Sequence, residues 1–410
     1  MGGGVAGLTA AHLLGPLHDV TLFEQEDRAG GHTHTVTVPH GPDAGTPIDT
    51  GFIVFNDRNY PTFRRLLARL GVRIQDSDMS FSYHRVRDGF HYAGTSLDGL
   101  FSRRANLVSP RFIGMLGDLA RFNRTARRDL EAGAFGERTL GEYVRDLGLG
   151  AGLTDWYLAP MAAAIWSTPA DEVMAYPAQS FARFFDNHGL LKFTGAPQWQ
   201  TVVGGSHNYV RALLAAFPGN VRLGAKVRSI ARGPAGVRLA TSDGESAEFD
   251  RAVVATHADQ ALALLDDPTP DERRLLGAWR YTVNHAVLHS DASVLPPARR
   301  AWASWNYEED PGSRAVCVTY AMNRLQRLRA RETWCVTLNR SRAVDPRRVV
   351  REMTYTHPYY DRAAIASQAG RPGLNGVRPT YYCGSYFGWG FHEDAVASAA
   401  QVGRTFGATL

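Results

Sequence analysis

At 410 residues, 44% hydrophobic and 21% charged, the chain has the composition of a folded protein of two or three domains, which excludes disordered and collagen-like classes. Its longest near-apolar run, Tyr157 to Trp166, falls well short of the roughly 20 residues that a membrane-spanning helix needs, so no transmembrane segment is expected. The net charge of +5 is almost wholly arginine, with Lys192 and Lys226 the only lysines, and its scattered pairs never build the dense block of a nucleic-acid tail. No nucleic-acid partner is expected.

Met1 is followed by glycines and not by the basic and apolar stretches of a signal peptide, so the expected location is cytoplasmic. Cys317, Cys335 and Cys383 lie far apart in apolar, strand-like contexts and read as small buried residues. From Gly2 the pattern gives a glycine turn, then a helix with Val5, Leu8, Ala11 and Leu14 on one side, then a strand from Asp19 that ends in Glu24. A second helix follows Pro61, with Phe63, Leu66, Leu67 and Leu70 as its stripe. Residues 98 to 190 are mostly helical by pattern, with a helix start at Thr168-Pro169-Ala170-Asp171. The period then changes to two. Lys226 to Ala231, Val237 to Thr241 and Glu248 to Ala255 read as three strands, and 281 to 340 as a second sheet after a helix near Asp271 to Trp279. A strand at Thr380 to Cys383, a glycine and aromatic loop, and a helix from about Glu393 close the chain.

Gly2-x-Gly4-x-x-Gly7 has the spacing of a dinucleotide loop, in which glycines let the backbone approach a pyrophosphate at a helix N-terminus. Glu24, at the end of the next strand, stands where a carboxylate accepts hydrogen bonds from ribose hydroxyls. A glycine-rich tail before an exposed Glu is the bland alternative. Arg28, Gly30, Gly31 and His32 follow within a few residues; a nicotinamide-binding unit has no use for this second glycine pair and cation, so it favours FAD over NAD. An ordinary glycine hairpin with a solvated arginine would look the same. His32, His34 and His40 share a strand face, but no further ligand is apparent and no metal is expected.

With these motifs the chain resembles the FAD-dependent amine oxidoreductases, the flavin-containing amine oxidase and phytoene desaturase superfamily, closest to its bacterial branch of predicted NAD/FAD-binding proteins. The resemblance spans nearly the whole chain and includes Arg28 to Thr33, Asp49 to Asn56, Val203 to Ser206, Val253 to Thr256 and Cys383 to Ala395. It implies that the closing motif is the flavin end of the site, with Gly384, Phe391, His392 and Glu393 beside the ring, and that the backbone of Val227 contacts the adenine. Phe391 falls where relatives place one aromatic of a substrate cage, here without a hydroxyl, and Cys383 does not lie where a covalent flavin link forms, so dissociable FAD is expected. Trp166, Tyr386, Phe387, Trp389 and Phe391 could line an apolar substrate channel, although Trp166 and Tyr386 could equally pack in the core. Lys192 is a weak candidate for the lysine that many amine oxidases place near flavin N5.

A Rossmann unit normally has a buried strand of about five or six apolar residues before its first glycine, and here only Met1 stands there. The expectation is that Met1 is an internal valine codon taken as the start, with a strand upstream. The expected fold is α/β: a Rossmann-type FAD-binding domain, its first strand truncated, from residues 1–75, 201–270 and 376–410, interwoven with an α+β substrate domain from 76–200 and 271–375. The expected function is FAD-dependent oxidation of a small organic substrate, amine-like or an unsaturated or acyl lipid, by hydride transfer to flavin N5. The rivals are a truncated, catalytically silent module of the same fold and a plain NAD-dependent dehydrogenase. The run Tyr157 to Trp166, flanked by arginines, offers peripheral membrane contact, although a buried helix is the stronger reading. Nothing in the sequence discloses an oligomeric state.

Overall fold

The computed structural model describes residues 1–166, 169–192, 195–309, 316–340 and 343–410. The glycine turn runs straight into helix α1 (Val5–Leu14), which leads to strand β1 (Thr21–Phe23). Helix α1 is buried on nearly every side and not along one stripe, because it lies between α6 (His207–Ala216) and α8 (His392–Thr405) with β1 beneath it. Helix α2 (Pro61–Arg69) starts with proline in its first turn and buries Phe63, Leu66 and Leu67. The hairpin β2 (Phe81–Arg85) and β3 (Phe90–Ala93) precedes the long helix α3 (Pro110–Ala132), which begins where the Ser109 hydroxyl accepts the Phe112 N–H and ends at Gly133 in the left-handed region. Helices α4 (Ala159–Trp166) and α5 (Ala178–Asn187) complete the helical region. The helix start expected at Thr168 falls outside the described residues, and a short helix over Ala170–Val173 follows it. Apart from Tyr157 and Ile165, the run from Tyr157 to Trp166 is buried, so it is a core helix and not a membrane-contact surface. Among the described residues no helix is long and apolar enough to cross a membrane.

Strands β4 (Asn220–Arg222), β5 (Val227–Gly233), β6 (Gly236–Thr241), β7 (Ser246–Phe249) and β8 (Ala252–Val254) follow α6. The single strand expected at Glu248 to Ala255 is thus two strands in different sheets. The chain turns at Asp250 and Arg251, so that β7 closes an antiparallel sheet with β5 and β6 while β8 runs parallel to a strand from the far end of the chain. After α7 (Pro270–Leu276) come β9 (Arg280–His289), β10 (Trp305–Glu309), β11 (Cys317–Ala321), β12 (Cys335–Leu338), β13 (Val349–Tyr359) and β14 (Thr380–Tyr382). The large sheet has the order β13-β9-β12-β11-β10-β2-β3 and is antiparallel except where β10 meets β2.

Two parallel pairs, β1 with β4 and β8 with β14, carry the glycine loop between them. The Gly2 N–H donates to the Phe23 carbonyl at 2.9 Å, the Met1 amino group to that of Val253 at 2.8 Å, and the Ala255 N–H to that of Met1 at 2.9 Å. Below Met1, the facing edges of β1 and β8 border a cleft of about 750 Å³ lined by Leu14, Leu22, Leu239 and Val253 among others. Strand β5, helix α7 and strand β14 are joined by the buried Arg232 guanidinium, which donates to Glu272 at 2.6 and 3.0 Å and to the Thr380 hydroxyl at 3.1 Å. Against the upward push of burial, Arg232 holds the Glu272 carboxyl at about 2.

Candidate functional site

The opening loop is built for close backbone approach. A Cβ on Gly7 would lie 1.8 Å from the Gly2 carbonyl oxygen, so only glycine lets α1 start so near the turn. A Cβ on Gly4 would meet nothing within 4 Å. Gly4 therefore faces open space at the N-terminus of α1, a cradle that a side chain would fill and a phosphate group fits. The Glu24 carboxylate accepts the Gly3 N–H at 2.5 Å and the Glu26 N–H at 2.9 Å, which fixes the strand-end acid against the loop. Gly30 donates to the Gly3 carbonyl at 2.7 Å, so the second glycine pair lies directly on the first loop. Arg28 points along its own loop and donates to the carbonyls of Gly31 and Thr33. Val227 begins β5, half-buried, with a register shift between it and Ser229.

The closing motif returns to the same place. The Gly384 N–H donates to the Ser398 hydroxyl at 3.0 Å, locking the end of β14 to α8, and a Cβ there would lie 3.5 Å from the Thr256 carbonyl oxygen, next to the residue that Gly2 approaches. The His392 Nε2 lies 3.1 Å from both the Thr33 and Tyr209 hydroxyls, and its ring stacks on Phe52 with centroids 3.5 Å apart. Burial and then the nearby His32 push its pKa well below the ordinary histidine value, so the ring is neutral. Both oxygens of Glu393 are turned away from the loop to cap α2, accepting from the N–H groups of Thr62 and Phe63 at 2.8 to 3.0 Å. The first-turn amides of α8 have no partner one turn back, by helix geometry, and its positive end lies beside the aromatic wall described below.

Three imidazoles from distant segments meet behind the second glycine pair: His32 lies 5.3 Å from His357 and 6.1 Å from His257, centroid to centroid. His32 is held by a hydrogen bond to the Thr356 backbone, and its Nε2 is buried without a partner among the described residues. Asn284 lies 3.0 Å from the His357 Nδ1, and His257 stacks on Tyr281 at 4.2 Å. Burial lowers all three pKa values, to about 4 for His257 and about 3 for His357. Among the described residues no group of three His, Cys, Asp or Glu is placed to hold a metal ion; His34 instead bonds the Tyr355 hydroxyl at 3.0 Å, and His40 is exposed.

The expected channel aromatics separate into two clusters. Phe391 packs on Phe184 at 5.6 Å and His188 at 5.8 Å, and Trp166 reaches this cluster through Phe184 at 4.6 Å. Phe387 and Trp389 stand instead with Tyr386, Tyr360 and the buried Arg371, whose guanidinium lies 4.8 Å from the Trp279 ring and 5.6 Å from that of Phe387. None of the three guanidinium nitrogens of Arg371 has a hydrogen-bond partner among the described residues, and burial brings its pKa down to about 10. Lys192 joins neither cluster and pairs with Asp186 at 3.9 Å.

Several residues here have no local signal in the sequence: Tyr209, Phe184, His188, His257, His357 and Arg371; Phe52 had a partial one, lying in the stretch Asp49 to Asn56. A partial signal existed for Asp49 and Ser206, which lie in two of the motif stretches. Asp49 accepts from the Ser206 N–H at 2.9 and 3.0 Å, from its hydroxyl at 2.8 Å and from Gln326 at 3.1 Å, and burial raises its pKa to about 6.

Comparison with known proteins places this geometry in a family. The fold is shared with a fatty acid isomerase from P. acnes (TM-score 0.69, 17% identity, 99% of this chain and 97% of that one) and with putrescine oxidase (0.70, 14%, 99% and 97%). It is also that of cyclohexylamine oxidase from Brevibacterium oxydans IH-35A (0.69, 16%, 99% and 98%). AofH of Mycobacterium tuberculosis, assigned by name as a flavin-containing monoamine oxidase, is 29% identical over 299 residues, 68% of this chain. The match spans only 61% of AofH. The family described as Flavin containing amine oxidoreductase matches residues 5–402, so the chain belongs to this family, as its motifs led us to expect.

Proposed function

We propose that the chain binds FAD without a covalent bond and oxidises a small organic substrate, an unsaturated or acyl lipid in preference to an amine. The observation that carries this reading is the meeting of the two chain ends: His392 of the closing helix lies within hydrogen-bond distance of Thr33, three residues after the Gly30 whose N–H donates to the Gly3 carbonyl of the opening loop. Residues 1–75, 201–270 and 376–410 form the cofactor-binding domain in this reading, and 76–200 with 271–375 the substrate domain. The α1 N-terminus at Gly4 holds the pyrophosphate, Glu24 the ribose, and the start of β5 at Val227 borders the adenine. Arg28 braces the Gly30-Gly31 turn, the α8 N-terminus faces the electron-rich edge of the ring, and Phe391, Phe184 and His188 form a substrate wall that excludes water. Bound there, FAD supplies the hydride acceptor at N5. Cys383 is sealed in the core, where burial pushes its thiol up to about 12, which supports a dissociable cofactor.

Arg371 favours the acyl class. It stands with Phe387 and Trp389 rather than at the Phe391 wall, so this reading has the far end of the substrate reach that second cluster. There a guanidinium with no hydrogen bond among the described residues, and only the charge of Asp394 nearby, would take an anion and repel an ammonium group. The deciding experiment loads the purified protein with FAD and adds, without oxygen, unsaturated fatty acids, their esters and primary amines, following loss of the visible flavin band. Bleaching by free fatty acids and less by esters is expected. Bleaching by amines alone would move the substrate to the amine class, and a protein that takes up no FAD would be the silent module.

A further inference from the structure

We propose that the surface formed by residues 86–113 docks on an anionic lipid bilayer. Ten large apolar side chains are exposed among the described residues, and five of them, Val86, Leu97, Leu107, Val108 and Ile113, fall within this short stretch. Leu97 is 76% exposed and Val108 83%, values that a folded surface seldom gives to leucine or valine in a group. The elements that carry Leu97, Leu107, Val108 and Ile113 are joined, the Asn106 side chain of the Arg104–Val108 turn reaching the Leu100 carbonyl at 3.4 Å. The short helix Leu97–Leu100 packs on β3 and on the turn Arg299–Ala301, and the turn Arg104–Val108, which presents Leu107 and Val108, packs on α3, whose first turn carries Ile113. Val86 follows β2 in the hairpin tip, whose Asp88 is near enough to Arg103 to feel its charge.

The charge around these side chains decides what can cover them. Asp98 pairs with Arg104 at 3.0 Å and Arg300 at 3.8 Å, which draws two arginines to the foot of Leu97. Arg111 reaches Asp155 at 3.2 Å while lying over the Trp156 ring, and Arg87 is exposed beside Val86. The arginines thus outnumber the acids, and long arginine side chains keep their charge at headgroup level while apolar neighbours enter the acyl boundary. A second copy of the chain fits poorly, because a two-fold contact would set this cationic patch against itself. The patch is a display and not a core: Phe112, next to Ile113, is fully buried against Phe90, Tyr92 and Phe101, so the exposed side chains can be changed without touching what holds the segment.

The test uses the full FAD-loaded chain in co-sedimentation with vesicles of phosphatidylglycerol and phosphatidylcholine, and of phosphatidylcholine alone. The wild type should partition onto the anionic vesicles, and less so at high salt. The double variant L107S/V108S should bind both vesicle types at least about tenfold more weakly. The double variant R87Q/R104Q should lose about fivefold per arginine on anionic vesicles and little on neutral ones. Absence of wild-type binding to anionic vesicles, or equal binding by wild type and L107S/V108S, overturns the proposal. So does a wild type that sediments as a dimer where L107S/V108S is monomeric, since the patch would then be an interface between copies. Circular dichroism of each variant, expected to match the wild type, keeps loss of fold apart from loss of docking. The outcome does not depend on which substrate the site accepts.

Discussion

Gly4 and Gly7 share one motif but answer to different constraints, and single substitutions separate them. At Gly7 an added methyl has no room, because the Gly2 carbonyl oxygen is 1.8 Å from where it would stand and belongs to backbone that Phe23 already holds. Gly7→Ala should therefore destabilise the apoprotein by about 2–3 kcal/mol through forced displacement of the turn. At Gly4 the backbone is already extended, with φ −71° and ψ 179°, and the space beyond is open. Gly4→Ala should change apoprotein stability by less than about 1 kcal/mol, the cost of a poorer helix cap. Its effect should appear in the cofactor, with FAD bound at least about tenfold more weakly as the methyl enters the cradle. Urea unfolding without FAD and fluorescence titration with FAD read the two effects separately. FAD affinity left unchanged by Gly4→Ala would show that the open face of Gly4 is not where the cofactor lies.

Between elements, Glu393 illustrates how a residue can be rightly noticed and serve a different partner. Its place in the first turn of α8 is legible from sequence, but the carboxylate crosses to α2 and accepts three hydrogen bonds from the Thr62 and Phe63 amides. Glu393→Ala strips the α2 cap and should lower the stability of the apoprotein by about 2 kcal/mol, whereas Glu393→Gln keeps one acceptor oxygen and should lose about half as much. Urea midpoints measured without FAD check this; equal stability of all three proteins would mean that the cap contributes nothing. The same contrast runs through the fold. The glycine loop, α1, β1 and α2 were legible because spacing, proline and alternation are local. The break between β7 and β8 was hidden because neither glycine nor proline marks Asp250-Arg251, although the apolar run after Arg251 has the pattern of a strand buried on both faces, which the parallel pairing of β8 bears out. Short strands such as Thr35–Thr37 and Phe55–Asn56 are too brief for any period to show. The meeting of His32, His257 and His357 depends on the large sheet returning to the glycine loops, which no local pattern encodes.

Across the whole molecule, histidine burial makes stability depend on acid. His34, His188, His257 and His289 have pKa values lowered to about 4 and His357 to about 3, in each case first by burial. In the unfolded chain each returns to about 6.5. As pH falls below 6.5 the unfolded chain takes up these protons and the folded one does not, so the cost is absent above 6.5 and nearly complete at 4. Asp49 and Asp394 work the other way. Burial raises both to about 6, so between 6 and their ordinary value near 3.8 the folded chain holds protons that the unfolded one has released, and acid favours the fold at these two sites. These five histidines outnumber the two aspartates, and burial lowers His32 and His392 as well, so unfolding takes up protons on balance near pH 5 and acid weakens the fold. Urea unfolding of the apoprotein at pH 7, 6 and 5 should show stability falling, and more steeply from 6 to 5 than from 7 to 6. His289 offers a control away from the proposed cofactor site: its Nε2 lies 2.7 Å from the Thr337 hydroxyl inside the large sheet. His289→Gln, which keeps a polar group there but cannot titrate, should reduce the slope by about one proton even if it lowers stability at every pH. A stability that stays flat or rises from pH 7 to 5 would mean that these rings do not stay neutral in the fold.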